Sequence, residues 1–81
     1  MAFSPDGNEI ALSISVEGNT DVFTVSASGG IPRKLTSSPA IDTSPSYSPD
    51  GRRIAFASDR SGAPQLYVMD ADGSNQRRIS F

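Results

Sequence analysis

Apolar residues along this chain fall in short clusters and never in a helical rhythm. Ile10-Ala11-Leu12, Val22-Phe23-Thr24-Val25, Ile54-Ala55-Phe56-Ala57 and Leu66-Tyr67-Val68-Met69 are each bounded by Gly, Pro, Asn, Asp or Ser. No stretch of helical length carries apolar residues at a 3.6-residue spacing, so the pattern predicts strands and essentially no helix. The expected strands cover 1–3, 9–14, 21–26 and 33–36, then 44–47, 53–58, 65–70 and 76–80. Ser-Pro-Asp-Gly at 4–7 and 48–51 reads as a tight turn. Proline presets φ at its second position, aspartate is tolerated at the third, and glycine takes positive φ at the fourth. Ser28-Gly29 and Asp72-Gly73 supply later hairpin turns, and Gly18 and Gly62 sit in the loops between.

The faces of these strands are unequal. In 53–58, large Ile54 and Phe56 alternate with small Ala55 and Ala57, while 65–70 is apolar on both sides. A one-sided sheet would alternate apolar with polar, so this sheet is expected to be covered on both faces. Its small face allows another sheet to approach closely. The last strand of each set is polar (Arg33-Lys34, Gln76-Arg77-Arg78), as suits an exposed edge guarded by charge.

Shifted by 44 residues, the chain aligns with itself without a gap, with ten of 37 overlapping positions identical. Phe3-Ser-Pro-Asp-Gly7 lies over Tyr47-Ser-Pro-Asp-Gly51, Ile10-Ala11 over Ile54-Ala55, Gly18 over Gly62, and Arg33-Lys-Leu-Thr36 over Arg77-Arg-Ile-Ser80. A four-stranded unit with a polar edge, a sandwiched middle and this period is a β-propeller blade. The expected fold is all-β, with two four-stranded antiparallel blades per chain. The first blade covers 1–37 with a truncated first strand, residues 38–44 link the blades and start the second, and 45–81 complete it.

Those residues carry a family resemblance. Phe3-Ser-Pro-Asp-Gly7 with Ile10-Ala11, Thr43 to Gly62, and Gln65 to Ser80 resemble the WD-like propeller repeat of the TolB family over nearly the whole chain. The resemblance implies a six-bladed, periplasmic, non-enzymatic scaffold of the Tol–Pal cell-envelope system. Such a scaffold binds proteins, among them a peptidoglycan-associated lipoprotein. Similar repeats occur in propellers that gate prolyl-oligopeptidase-type peptidases, which is the alternative reading. The chain departs from the family pattern in having two repeats and no N-terminal α/β domain. Met1-Ala2-Phe3 leads straight into the first turn, so no signal peptide is read here.

Two 44-residue periods less one seven-residue linker make the 81 residues present. Two blades alone would leave two apolar faces in water, a surface that drives association. Three chains would rebuild six blades, so a homotrimer is expected, with four chains and eight blades as another closure. An excised or engineered self-assembling piece with no activity of its own also fits this cut.

Composition narrows the chemistry further. The chain has no histidine and no cysteine, hence no histidine base, thiolate nucleophile or disulfide. No catalytic residue, cofactor or metal is therefore assigned. Lys34 is the single lysine, paired by the repeat with Arg78 on a charged edge, which makes a Ser–Lys nucleophile a poor reading. Asp70-Ala-Asp-Gly-Ser-Asn75 resembles the start of a calcium loop, but its twelfth position would be Phe81, which has no oxygen ligand in its side chain. A glycine hairpin explains it better. The net charge of −2 and the scattered basic pairs argue against a nucleic-acid partner. The longest apolar run, Leu66 to Met69, is far too short to span a membrane as a helix. The residues expected at a partner-binding rim are Asp42, Thr43, Asp59 and Arg60, the alternative being ordinary solvated loop charges.

Overall fold

The computed structural model describes residues 2–37 and 40–79. Met1 of the expected first strand, Ser38 and Pro39 of the linker, Ser80 of the expected last strand, and Phe81 lie outside the described residues. Eight strands follow one another: β1 (Ala2–Phe3), β2 (Glu9–Val16), β3 (Asn19–Ser26), β4 (Arg33–Lys34), β5 (Asp42–Tyr47), β6 (Arg53–Ser58), β7 (Gln65–Asp70) and β8 (Arg77–Arg78). They form two four-stranded sheets in the orders β1-β2-β3-β4 and β5-β6-β7-β8, antiparallel throughout. The all-β, two-sheet architecture is the one expected.

The boundaries differ in three places. The β2–β3 hairpin runs on to Val16 and Asn19 because Glu17-Gly18 closes it as a two-residue turn with both φ values positive, 52° and 86°. That turn continues the right-handed twist of the strands. The outer strands are shorter than expected; past Lys34 the chain stays bonded to β3, Leu35 N–H donating to Val22 O at 2.8 Å, but Val22 N–H donates to the Thr36 hydroxyl at 2.9 Å in place of a backbone carbonyl. β5 starts at Asp42, two residues before the expected 44, and a register shift between Thr43 and Ser46 lets Ser44 take φ 55°.

Register explains which side chains are buried. Ala11 lies opposite Thr24 and Ser13 opposite Val22, giving the first sheet a small face. Ile54 lies opposite Met69 and Phe56 opposite Tyr67, giving the second sheet a large face. These faces meet. Ala11, Val22 and Leu35 join Ile54, Phe56, Tyr67 and Met69 in one cluster, with Tyr47 packed against it. Only one face of each sheet is covered within the chain, as expected of two blades by themselves. Phe3 stays 58% exposed and Leu66 50%.

The sheets approach closely at two glycines. Gly51 packs on the ring of Pro5, where a Cβ would stand 3.3 Å from Cδ. At Gly73 (φ +93°) a Cβ would lie 2.9 Å from the backbone oxygen of Leu35. Backbone cannot swing away as a side-chain tip can. Gly73→Ala is therefore expected to lower stability by about 2 kcal/mol or more, combining left-handed strain with the clash. A shift in urea midpoint below about 0.5 kcal/mol would show that the sheets slide apart freely at this point.

Candidate functional site

The Ser-Pro-Asp-Gly turns gain a second layer of order from their aspartates. The Ser4 hydroxyl donates to Asp6 Oδ1 at 2.6 Å, Asn8 N–H donates to the same oxygen at 2.9 Å, and Glu9 N–H donates to Ser4 Oγ at 3.0 Å. Ser48, Asp50, Arg52 and Arg53 repeat this set at 2.6, 3.0 and 3.1 Å. In the next turn Ser74 donates through both its hydroxyl and its N–H to Asp72 Oδ1. Asp70 accepts from Asn75 Nδ2 at 2.7 Å. Both carboxylates of the calcium-like segment thus organise the hairpin. Among the described residues, no group of three or more His, Cys, Asp or Glu side chains could hold a metal ion.

Hydrogen bonds from Ser4, Ser48 and Ser74 hold Asp6, Asp50 and Asp72 below the ordinary carboxylate pKa of 3.8, and the backbone N–H donors add to the effect. Each acid is deprotonated more readily in the folded state than in the unfolded one. Their contribution to stability is complete above the unfolded value and disappears as pH falls through the lower folded value. Urea midpoints should accordingly hold down to about pH 5 and fall below about pH 4. The Asp6→Asn/Asp50→Asn variant should show a shallower acid limb. An identical limb in the variant would exclude these turns as its source.

The four expected rim residues lie together where β5 and β6 meet, and the sheet divides them between its two faces. Asp42 opposes Ser58 on the face toward the first sheet, and its side chain is fully buried. Asp42 Oδ2 pairs with Arg60 Nη2 at 3.3 Å, while Asp42 Oδ1 is buried with no hydrogen-bond partner. Arg60 is not a solvated loop charge, since its side chain is only 24% exposed. Its guanidinium lies 5.3 Å from the Phe56 ring centroid and 4.8 Å from that of Tyr67. It also donates to Ser58 Oγ at 3.0 Å and to Gln76 Oε1 at 2.9 Å. Gln76 in turn donates to Leu35 O at 3.2 Å, which ties this cluster to the first sheet.

Thr43 and Asp59 lie on the other side. With Ile41, Ala57, Ser58 and Pro64 they line a shallow cavity of about 170 Å³. Asp59 Oδ1 accepts the N–H of Ile41, which fixes the lip of the cavity. Asp42 and Arg60 thus form a buried support, and Thr43 and Asp59 line the cavity on the opposite side.

A second buried acid escaped the sequence reading. Asp21 is 2% exposed, pairs with Lys34 at 3.3 Å, and accepts from Thr36 Oγ1 at 3.2 Å. Thr36 Oγ1 also accepts Val22 N–H at 2.9 Å. The second repeat has Gln65, Arg78 and Ser80 at the matching positions. An acid replacing the repeat's amide was the available signal.

The family model for the TolB beta propeller domain matches residues 1–81. The Tol-Pal system protein TolB of Anaeromyxobacter dehalogenans (strain 2CP-1) is 65% identical over 46 residues, covering 56% of this chain and 10% of that protein. A protein TolB homolog of Chlorobium luteolum is 46% identical over 39 residues, 48% of this chain and 9% of that one. Among solved structures, a TolB from Acinetobacter baumannii superposes with TM-score 0.88 at 35% identity, covering 99% of this chain and 20% of that one. A TolB-type structure from Agrobacterium tumefaciens gives TM-score 0.94 at 32% identity, covering 99% of this chain and 29% of that one. The matched segment spans about a tenth of the curated relatives.

Proposed function

Because the chain belongs to the TolB beta propeller domain family, we propose that it serves as a non-enzymatic protein-interaction scaffold of the Tol–Pal type, working in the periplasm. Residues 1–37 and 45–81 act as its two blades, and 38–44 link them and start the second. Its partner is a cell-envelope protein such as a peptidoglycan-associated lipoprotein. The observation that supports this reading is the two-sheet stack itself, which holds loops and turns rigidly at its rims. Rigid aprons of this kind bind protein surfaces with little ordering cost. The chain also lacks the histidine and cysteine on which most hydrolytic sites depend. Copies of the chain complete the ring, with three chains for six blades.

Thr43 and Asp59 contact the partner in this reading, while Asp42 and Arg60 keep that edge in place. Titration calorimetry of the full chain with a lipid-free peptidoglycan-associated lipoprotein tests it. Saturable binding is expected, weakened about tenfold or more by Asp59→Lys with Thr43→Arg. No heat of binding from the assembled protein would refute the scaffold role, and unaltered binding by the variant would move the contact away from this rim.

A further inference from the structure

A cavity of about 180 Å³ opens between the two Ser-Pro-Asp-Gly turns, toward the far end of β5 from Thr43. Pro5 and Gly51 line it together with Asp6, Glu9, Tyr47 and Asp50. The turns explain only two of its polar groups. Asp6 and Asp50 each spend Oδ1 on closing their own turn. The Glu9 carboxylate has neither a hydrogen bond nor an ion pair among the described residues. The Tyr47 hydroxyl oxygen is buried and has no hydrogen-bond partner among them. Burial first, then the Glu9 and Asp6 charges, push the Tyr47 pKa above its ordinary value, while Arg33 opposes them. That hydroxyl therefore sits on the acidic side of the cavity.

Glu9 and Tyr47 are also where the repeat is broken. Tyr47 corresponds to Phe3, and Asn8-Glu9 correspond to Arg52-Arg53. The first blade ends the same strand with phenylalanine, so packing there needs no hydroxyl. The second blade begins the matching strand with arginine, so β2 needs no acid at Glu9. Neither side-chain polar group closes a turn or ties the sheets together. A buried hydroxyl without a partner disfavours the folded state, and a donor from outside the chain removes that cost.

The geometry points to a binding site for an ammonium group, carried by a small alkylamine or by a lysine side chain of another protein. An ammonium is a compact charge with three N–H donors. Glu9 supplies its counter-charge, Asp6 and Asp50 deepen the negative field, and Tyr47 Oη accepts one donor. Among the described residues, no three acids are placed to hold a metal ion, which suits a ligand that carries directional donors instead. Arg33 and Arg52 act on the cluster electrostatically, at Tyr47 and Asp50, yet neither forms an ion pair with these acids among the described residues. The site depends neither on the Thr43–Asp59 rim nor on a ring of copies.

Amide NMR of the full chain near neutral pH and at low salt is the test. The probes are n-butylammonium chloride and, separately, a blocked Gly-Lys-Gly peptide. Saturable shifts are expected within residues 4–9 and 47–52, and sodium chloride at equal concentration should give none. Glu9→Gln should weaken binding about tenfold, the scale of a hydrogen bond to a charged group. Tyr47→Phe should weaken it about fivefold, the scale of one neutral hydrogen bond. Both variants should keep the dispersed spectrum of the parent, the second because it restores the residue type of Phe3. Glu17→Gln is the control, since Glu17 lies in the turn at the other end of β2, and it should bind as the parent does. Tighter binding of the peptide would assign the site to a protein lysine, and equal affinities would assign it to a free amine. Absence of saturable shifts with both probes would overturn the site. So would sodium reproducing the shifts, or folded Glu9→Gln and Tyr47→Phe variants that bind like the parent.

Discussion

Replacing Phe56 with alanine is expected to cost about 3–5 kcal/mol. Phe56 is fully buried between the sheets, stacked on Tyr67 at a centroid distance of 5.8 Å, and capped by the Arg60 guanidinium. Deleting the ring removes apolar burial, opens a cavity that neighbours on rigid strands cannot refill, and ends the aromatic contact. A small domain holds about 5–15 kcal/mol in total, so much of the folded population would be lost. Phe56→Leu keeps most of the volume and should cost less than about 1.5 kcal/mol. The sharper comparison is Leu12→Ala. Leu12 occupies the same repeat position but lies on an open face. At concentrations where chains are single, its loss should be well under half that of Phe56→Ala. Equal losses in urea denaturation would mean that the inner face is not the core.

Arg60→Met comes next, with an expected cost of about 3 kcal/mol. Methionine keeps much of the packing over Phe56 and Tyr67 but removes the charge. Asp42, fully buried with one oxygen already unpartnered, would then lose its counter-charge. An uncompensated buried carboxylate is far costlier than the pair is worth, so the partner variant is diagnostic. Asp42→Asn in the Arg60→Met background should recover at least about 1 kcal/mol, because the stranded charge is gone. Additive losses in that double-mutant cycle would mean that Arg60 acts only through its stem and the rings.

The repeat made most of the architecture legible. Strand positions followed from where apolar clusters sit between turn residues, and the Arg53–Ser58 and Gln65–Asp70 strands came out at their expected limits. The turns were legible because proline and glycine restrict φ locally, whatever surrounds them. Errors arose where a residue's partner is distant in sequence. Leu35 and Thr36 looked like strand continuations, yet one packs on Gly73 and the other on Asp21. Asp42 and Arg60 were expected at a rim or as solvated loop charges, and only the fold buries Asp42 and lays the Arg60 guanidinium over two aromatic rings. The role of Asp6 and Asp50 was missed for a different reason. Tolerance for the turn was visible, but the short serine hydroxyl contact depends on how that turn closes.

By itself the sequence determined the strand menu, the 44-residue unit, the large and small faces of each sheet, and the family. Periodicity and turn chemistry are local, and a face is simply every second residue of a strand. Which large face meets which small face was decided by tertiary structure alone. Both repeats carry equivalent faces, and only the chain's path between them makes Phe56 core while its counterpart Leu12 is only partly covered. The same path buries Asp42 and turns Arg60 inward, while Thr43 and Asp59 line a shallow cavity on the other side.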